Sequence, residues 1–255
     1  MKTSKRLMKT KTALVAAALA CVAGAANAGG PVVIGFENVT NTGLAPWLPL
    51  LGNGDEIVEQ GYWMDPFSNS GAPRNGDLVG VIVDGTQLAD TCFGVTCPTN
   101  NSSHFLTTLN DGVLAMGTMD GHAFTIQGLD AAFLGAAGEM TPSTAGILRV
   151  LGVRASDNEA IAMDFSIGGP DQFGTLSFSH FVMTGDFATT AFSTVYLYGG
   201  ACDASGNCSL FDNNRGQFAL DNLSVTAVPE PSQWLLLAAG LGALGGISRR
   251  RLQQA

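Results

Sequence analysis

Short runs in which every second side chain is apolar recur along the chain, separated by clusters of Gly, Asn, Asp and Pro. The runs at 32–37, 78–83, 123–129, 146–154, 160–167, 174–183, 193–198 and 217–226 read as β-strands, and several of them alternate with period two. In the run at 174–183, Leu176, Phe178, His180 and Val182 share one mostly apolar face, which places His180 in or near a core. Turn chemistry separates the runs at Gly168-Gly169-Pro170-Asp171, Asp157-Asn158 and Asp212-Asn213-Asn214-Arg215-Gly216. One helix is expected over Asp130–Glu139, where Ala and Leu dominate. No internal repeat is visible, which disfavours a solenoid or propeller. The expected fold class is all-β, a β-sandwich.

Two segments do not follow this pattern. At the N-terminus, Lys2, Lys5, Arg6, Lys9 and Lys11 precede an apolar stretch from Ala13 to Ala23. Ala26-Asn27-Ala28 then forms an Ala-x-Ala cleavage site, so residues 1–28 read as a signal peptide with an N-terminal signal helix. At the C-terminus, Trp234 to Ile247 is a run of 14 residues without charge. As a helix it spans about 21 Å, short of the ~30 Å hydrocarbon core of a bilayer. Arg249, Arg250 and Arg251 follow as a basic stop that can snorkel to the interface and lengthen the span. Pro229 and Pro231 prevent the helix from extending backward. Residues 228–255 therefore read as a tail with a short transmembrane helix, and 29–227 as the β-domain.

Val228-Pro229-Glu230-Pro231, the glycine-rich apolar run and the arginine cluster together resemble a PEP-CTERM sorting signal, a tail also called an ice-binding protein C-terminal domain. The resemblance implies a Gram-negative host that makes exopolysaccharide. It implies recognition by an exosortase, a membrane-embedded cysteine protease-transpeptidase, after export by the secretion machinery. It further implies transient anchoring in the membrane, then release or attachment at the cell surface. Ice binding itself is disfavoured, because no ranked Thr-x-Thr repeats lie along the strands.

Charge narrows the partners. All four lysines lie in the signal peptide, and Arg74, Arg149, Arg154 and Arg215 are the basic residues of the body. Against 21 acidic residues this leaves a net charge of −17 through Pro231. Such a surface repels nucleic acid and anionic polysaccharide. Cys21 leaves with the signal peptide, and the remaining cysteines fall into two local pairs, Cys92 with Cys97 and Cys202 with Cys208. An even count in an exported chain indicates disulfides, and local pairing is the natural connectivity. Zinc is the alternative, but no histidine lies beside either pair.

Gly35-Phe36-Glu37 and Phe218-Ala219-Leu220-Asp221 resemble the first and last strands of carbohydrate-binding-module jelly rolls. That resemblance implies a jelly-roll-like sandwich with Glu37 and Asp221 as ligands of a structural calcium ion, which needs further oxygens. No other cofactor is expected. The segment from Asp203 to Asp212 has oxygens at alternate positions but lacks the glycine and closing glutamate of a calcium loop, so it reads as a disulfide-closed hairpin tip.

Catalytic signatures are absent: there is no Gly-x-Ser-x-Gly elbow and no His-Glu-x-x-His motif. His104 sits in a polar Asn-Asn-Ser-Ser-His run and reads as a solvated loop residue. Trp47, Tyr62, Trp63 and Phe67 lie near Pro46, Pro49 and Pro66, as in long loops, where exposed rings could stack on sugars or cover one end of the core. The reading is a non-enzymatic exported protein of the surface or biofilm matrix, associated with exopolysaccharide. A carbohydrate-binding module is the alternative, and a secreted hydrolase the weaker one.

Overall fold

Alternation of buried and exposed side chains organises the body into strands, in a computed structural model that describes residues 30–41, 50–92, 95–135, 144–211, 215–228 and 240–241. Gly30–Val228 is the compact unit. Ala26 and Ala28, Trp47, Pro229, Glu230, Pro231 and Arg249–Arg251 lie outside the described residues, as does the apolar run 234–247 apart from Gly240 and Leu241. Among the described residues no helix is long and apolar enough to cross a membrane.

The strands are β1 (Val32–Ile34), β2 (Thr40–Asn41), β3 (Leu50–Gly52), β4 (Ile57–Glu59), β5 (Tyr62–Ser68), β6 (Leu78–Asp84), β7 (His104–Thr108) and β8 (Gly112–Thr118). They continue as β9 (Phe124–Phe133), β10 (Thr144–Arg154), β11 (Ala160–Gly168), β12 (Ser179–Val182), β13 (Phe192–Cys202), β14 (Cys208–Leu210) and β15 (Phe218–Ala227). Among the described residues of the β-domain, two single-turn helices interrupt them, α1 (Leu88–Thr91) and α2 (Gly185–Thr189). The all-β expectation holds. The two layers of the sandwich are not separate sheets: the strands form one antiparallel network in the order β2-β4-β5-β8-β13-β9-β15-β7-β6-β3. The sheet curls, so that Met64, Leu114 and Leu197 from one arm and Leu106, Leu129 and Leu220 from the other share one buried core.

The helix expected at Asp130–Glu139 is corrected. Asp130–Phe133 completes β9, while Ala136–Glu139 falls outside the described residues. Alanine favours helix weakly, and packing overrides it here. Ala131 faces the main core and Ala132 a second apolar cluster on the outer face, so β9 is covered on both sides and small residues fit.

The long loop expected around Tyr62, Trp63 and Phe67 is instead β5. Pro66 is tolerated because it pairs with Leu114 of β8 beyond the reach of β4, where β5 has a neighbour on one side only.

Candidate functional site

The second apolar cluster builds the site. Val83, Cys97, Phe105, Ala132, Leu134 and Ala219 pack on the outer face of the sheet, beneath Leu88, Cys92, Val95 and Phe178. The cover is the segment closed by the Cys92–Cys97 disulfide. It is pinned by Thr96 N–H to the Gly135 carbonyl (2.7 Å) and by Thr99 N–H to the Leu176 carbonyl (3.0 Å). Phe105 and Phe178 meet edge to face at 5.2 Å. Asn100 then accepts from Phe178 N–H (2.7 Å) and donates to its carbonyl (3.2 Å), as a neighbouring strand would.

Where this cover ends, a polar cleft of about 380 Å³ opens, lined by Asn100, Asn101, Ser102, Ser103, Asp130, Phe178, Ser179, His180 and Asn222. A row across three strands underlies it: Asp221 of β15, buried behind the lining, opposes Asp130 of β9, which opposes His180 of β12. Direct cross-strand partners point to the same face of a sheet. Asp130 Oδ1 contacts His180 Nδ1 at 2.7 Å, and its Oδ2 accepts from Asn222 Nδ2 at 2.8 Å. Asn222 reaches Asp130 because β15 bulges there, with a register shift between Asp221 and Ser224 and a left-handed φ of 49° at Asn222. A bulge re-aims a side chain, and asparagine tolerates this region better than most residues.

Asp221 has no exposed surface. Its Oδ2 accepts from Asn101 Nδ2 (2.6 Å), Ser103 Oγ (3.0 Å) and Asn222 Nδ2 (3.3 Å), and its Oδ1 from Asn222 N–H (2.7 Å). Burial pushes its pKa up, opposed by these donors. Asp221 also marks a fork. β15 is bordered by β7 through Leu220 and by β1 from Leu223. Glu37 and His104 bridge the ends of these two strands, with Oε2 to Nδ1 at 2.7 Å and the His104 N–H to Oε1 at 2.9 Å. The His104 hydrogen bond holds the Glu37 carboxyl below its ordinary value. Phe36, at φ 59°, is held by its N–H to the buried Glu59 (2.8 Å).

Several residues stand differently from expectation. Glu37 and Asp221 are each held by their own protein donors. A calcium ion would have to displace them, and among the described residues no three His, Cys, Asp or Glu side chains group as a metal set. His104 is a half-exposed strand residue rather than a loop residue. His180, expected near the core, has a side chain 63% exposed, because it is the cross-strand partner of Asp130 on the outer face of the sheet. Tyr62 is buried against Phe124 (5.5 Å), with its hydroxyl pKa pushed up to about 12 by burial, so it is withdrawn from sugar stacking. Trp63 is half-buried over Gly117, where a β-carbon would come within 2.7 Å of the indole. The hairpin tip expected from Asp203 is present, with Cys202 and Cys208 cross-strand partners joined by a disulfide. Its turn is closed by Ser205 and Asn207 N–H donating to Asp203. Sequence reasoning missed Asp130, Asn101 and Asn222; the one signal was the polar run Asn100–Ser103.

No curated protein matches this sequence. Solved structures of similar shape include a DUF4465 family protein from Bacteroides caccae, at 12% identity, 78% coverage of this chain, 100% of that one and a TM-score of 0.45. Another is a DUF4465 family protein from Bacteroides ovatus, at 7% identity, 77% and 98% coverage and a TM-score of 0.39. The β-domain ends with Val228 N–H bonded to the Ala123 carbonyl (2.7 Å), as the tail begins. Residues 227–251 match the PEP-CTERM protein-sorting motif, which marks an exported protein processed by an exosortase and sorted to the cell envelope or surface.

Proposed function

We propose that this protein acts by binding rather than catalysis, as a surface or matrix protein associated with extracellular polysaccharide. The cleft carries the reading. Its amides, hydroxyls, carboxylate and one aromatic ring are the groups that recognise vicinal sugar hydroxyls. They are held in place by a disulfide-closed wall on one side and strand register on the other. Asp221 supports a non-enzymatic role: it is buried with both oxygens occupied, so it does not pair with Asp130 as an acid and base at a glycosidic bond. The apolar segment 234–247 anchors the chain in the membrane until the exosortase acts.

The test is affinity electrophoresis of the exported protein in gels containing the host's exopolysaccharide and a panel of neutral polysaccharides. Retardation is expected, and replacing the exposed His180 by Ala weakens it while Trp63→Ala does not. Mobility unchanged in every gel would remove the binding reading. A hydrolytic activity on polysaccharides, esters or peptides would restore the enzyme alternative.

A further inference from the structure

The cleft's charge says which sugars it selects. Asp130 lines it with a side chain 24% exposed, and Asp221 lies directly behind. The nearest cationic candidates are imidazoles, His180 on Asp130 and His104 on Glu37. No lysine exists in the body, and no arginine lines the cleft. Arg149 is bound to Asp164, and Arg154 to Asp157 and Glu159, all outside the cleft. A uronate or sulfated sugar would therefore meet carboxylates, with no cationic candidate in the lining except the His180 imidazole already engaged by Asp130. An ammonium group would meet a partly exposed carboxylate whose oxygens it would share with His180 and Asn222, beside the amide of Asn100 and the hydroxyls of Ser102 and Ser179. Charge complementarity of this kind sets selectivity between otherwise similar ligands.

Resting on the polysaccharide-binding reading above, we propose that the cleft takes a glycan bearing free amines, an unacetylated hexosamine, with Asp130 receiving the ammonium. The surrounding charge of −17 raises the local concentration of a polycationic chain and speeds its encounter.

The experiment is calorimetric titration of the exported protein with four tetrasaccharides: glucosamine, N-acetylglucosamine, glucose and a uronate. The glucosamine oligomer is expected to bind most tightly, with an affinity that falls as salt rises, and the uronate not at all. Asp130→Asn, which keeps the side chain's shape, lowers glucosamine binding by about tenfold or more and by more than it lowers binding of the neutral oligomers. A matching thermal melt shows that this variant folds. The salt dependence of the unmodified protein tests the same point without mutation. Equal binding of the amine and acetylated oligomers, or an unchanged Asp130→Asn variant, overturns the amine preference while leaving polysaccharide binding intact. Absence of binding to all four, together with unchanged gel mobility, overturns both.

Discussion

The two disulfide loops have nearly the same length, and the molecule uses them differently. Cys92–Cys97 and Cys202–Cys208 close sequence separations of 5 and 6 residues. Chain entropy alone assigns both about 2 kcal/mol. The difference lies in what each loop touches. Cys97 is buried in the outer apolar cluster, and the segment it anchors runs on to Asn100–Ser103 and the cleft. Cys208 is exposed at the tip of the β13–β14 hairpin, where Asp203 already closes the turn. A covalent link matters to function only when the segment it restrains is one side of a site.

Removing the anchor at the far end of the first loop is expected to have the largest effect. Asp221→Ala removes the shared acceptor of the Asn101 and Asn222 donors and the Ser103 hydroxyl and leaves a cavity at a fully buried position. The expected loss is about 3 kcal/mol in urea unfolding, with glycan binding lost as well. Cys92→Ala with Cys97→Ala comes next, at about 2 kcal/mol for loop closure plus a smaller packing loss at the buried Cys97. Hydrogen exchange of the Asn100–Ser103 amides then accelerates, and the same readout near Asp221 sharpens the distinction. Cys202→Ala with Cys208→Ala costs at most about 2 kcal/mol and leaves the cleft amides and glycan binding unchanged. If both double variants loosen the cleft equally, the comparison fails.

The smallest effect is the pH response at the fork. Glu37 has a lowered folded pKa, so its contribution is present above its unfolded value of 4.5 and is lost as pH falls through the folded value. Asp221 has the opposite sign. Its raised folded pKa makes ionisation costly, so stability declines as pH rises from 3.8 toward that value. Unfolding followed between pH 3 and 7 for His104→Ala and Asp221→Asn separates them, since each removes one of the opposed slopes. At neutral pH His104→Ala changes stability by less than about 0.5 kcal/mol, because the pair is exposed.

The alternating runs were legible because β-strands print their period directly on the sequence. Where the reading slipped, a neighbour distant in sequence had intervened. Ala131 and Ala132 suggest a helix until the two clusters covering both faces of β9 are known. Pro66 suggests a loop until β4 is seen to stop short of it. Leu176 and Phe178 share apolar character with Val182, yet only Ser179–Val182 forms β12, and His180 points to solvent beside Asp130. Disulfide pairing was readable because both bridges are local.

Information held within a short window of chain was therefore settled by residue order alone: the eight expected runs, the two bridges and the sorting tail at 227–251. The cleft was not of that kind. Asn101 meets Asp221 across 120 positions, Asn222 meets Asp130 across 92, and His180 meets Asp130 across 50. These meetings depend on sheet register and on the bulge at Asn222, and a slip of one residue would turn every member of the row to the opposite face. Register is a property of strands packed on a shared core, which no single run of the sequence contains.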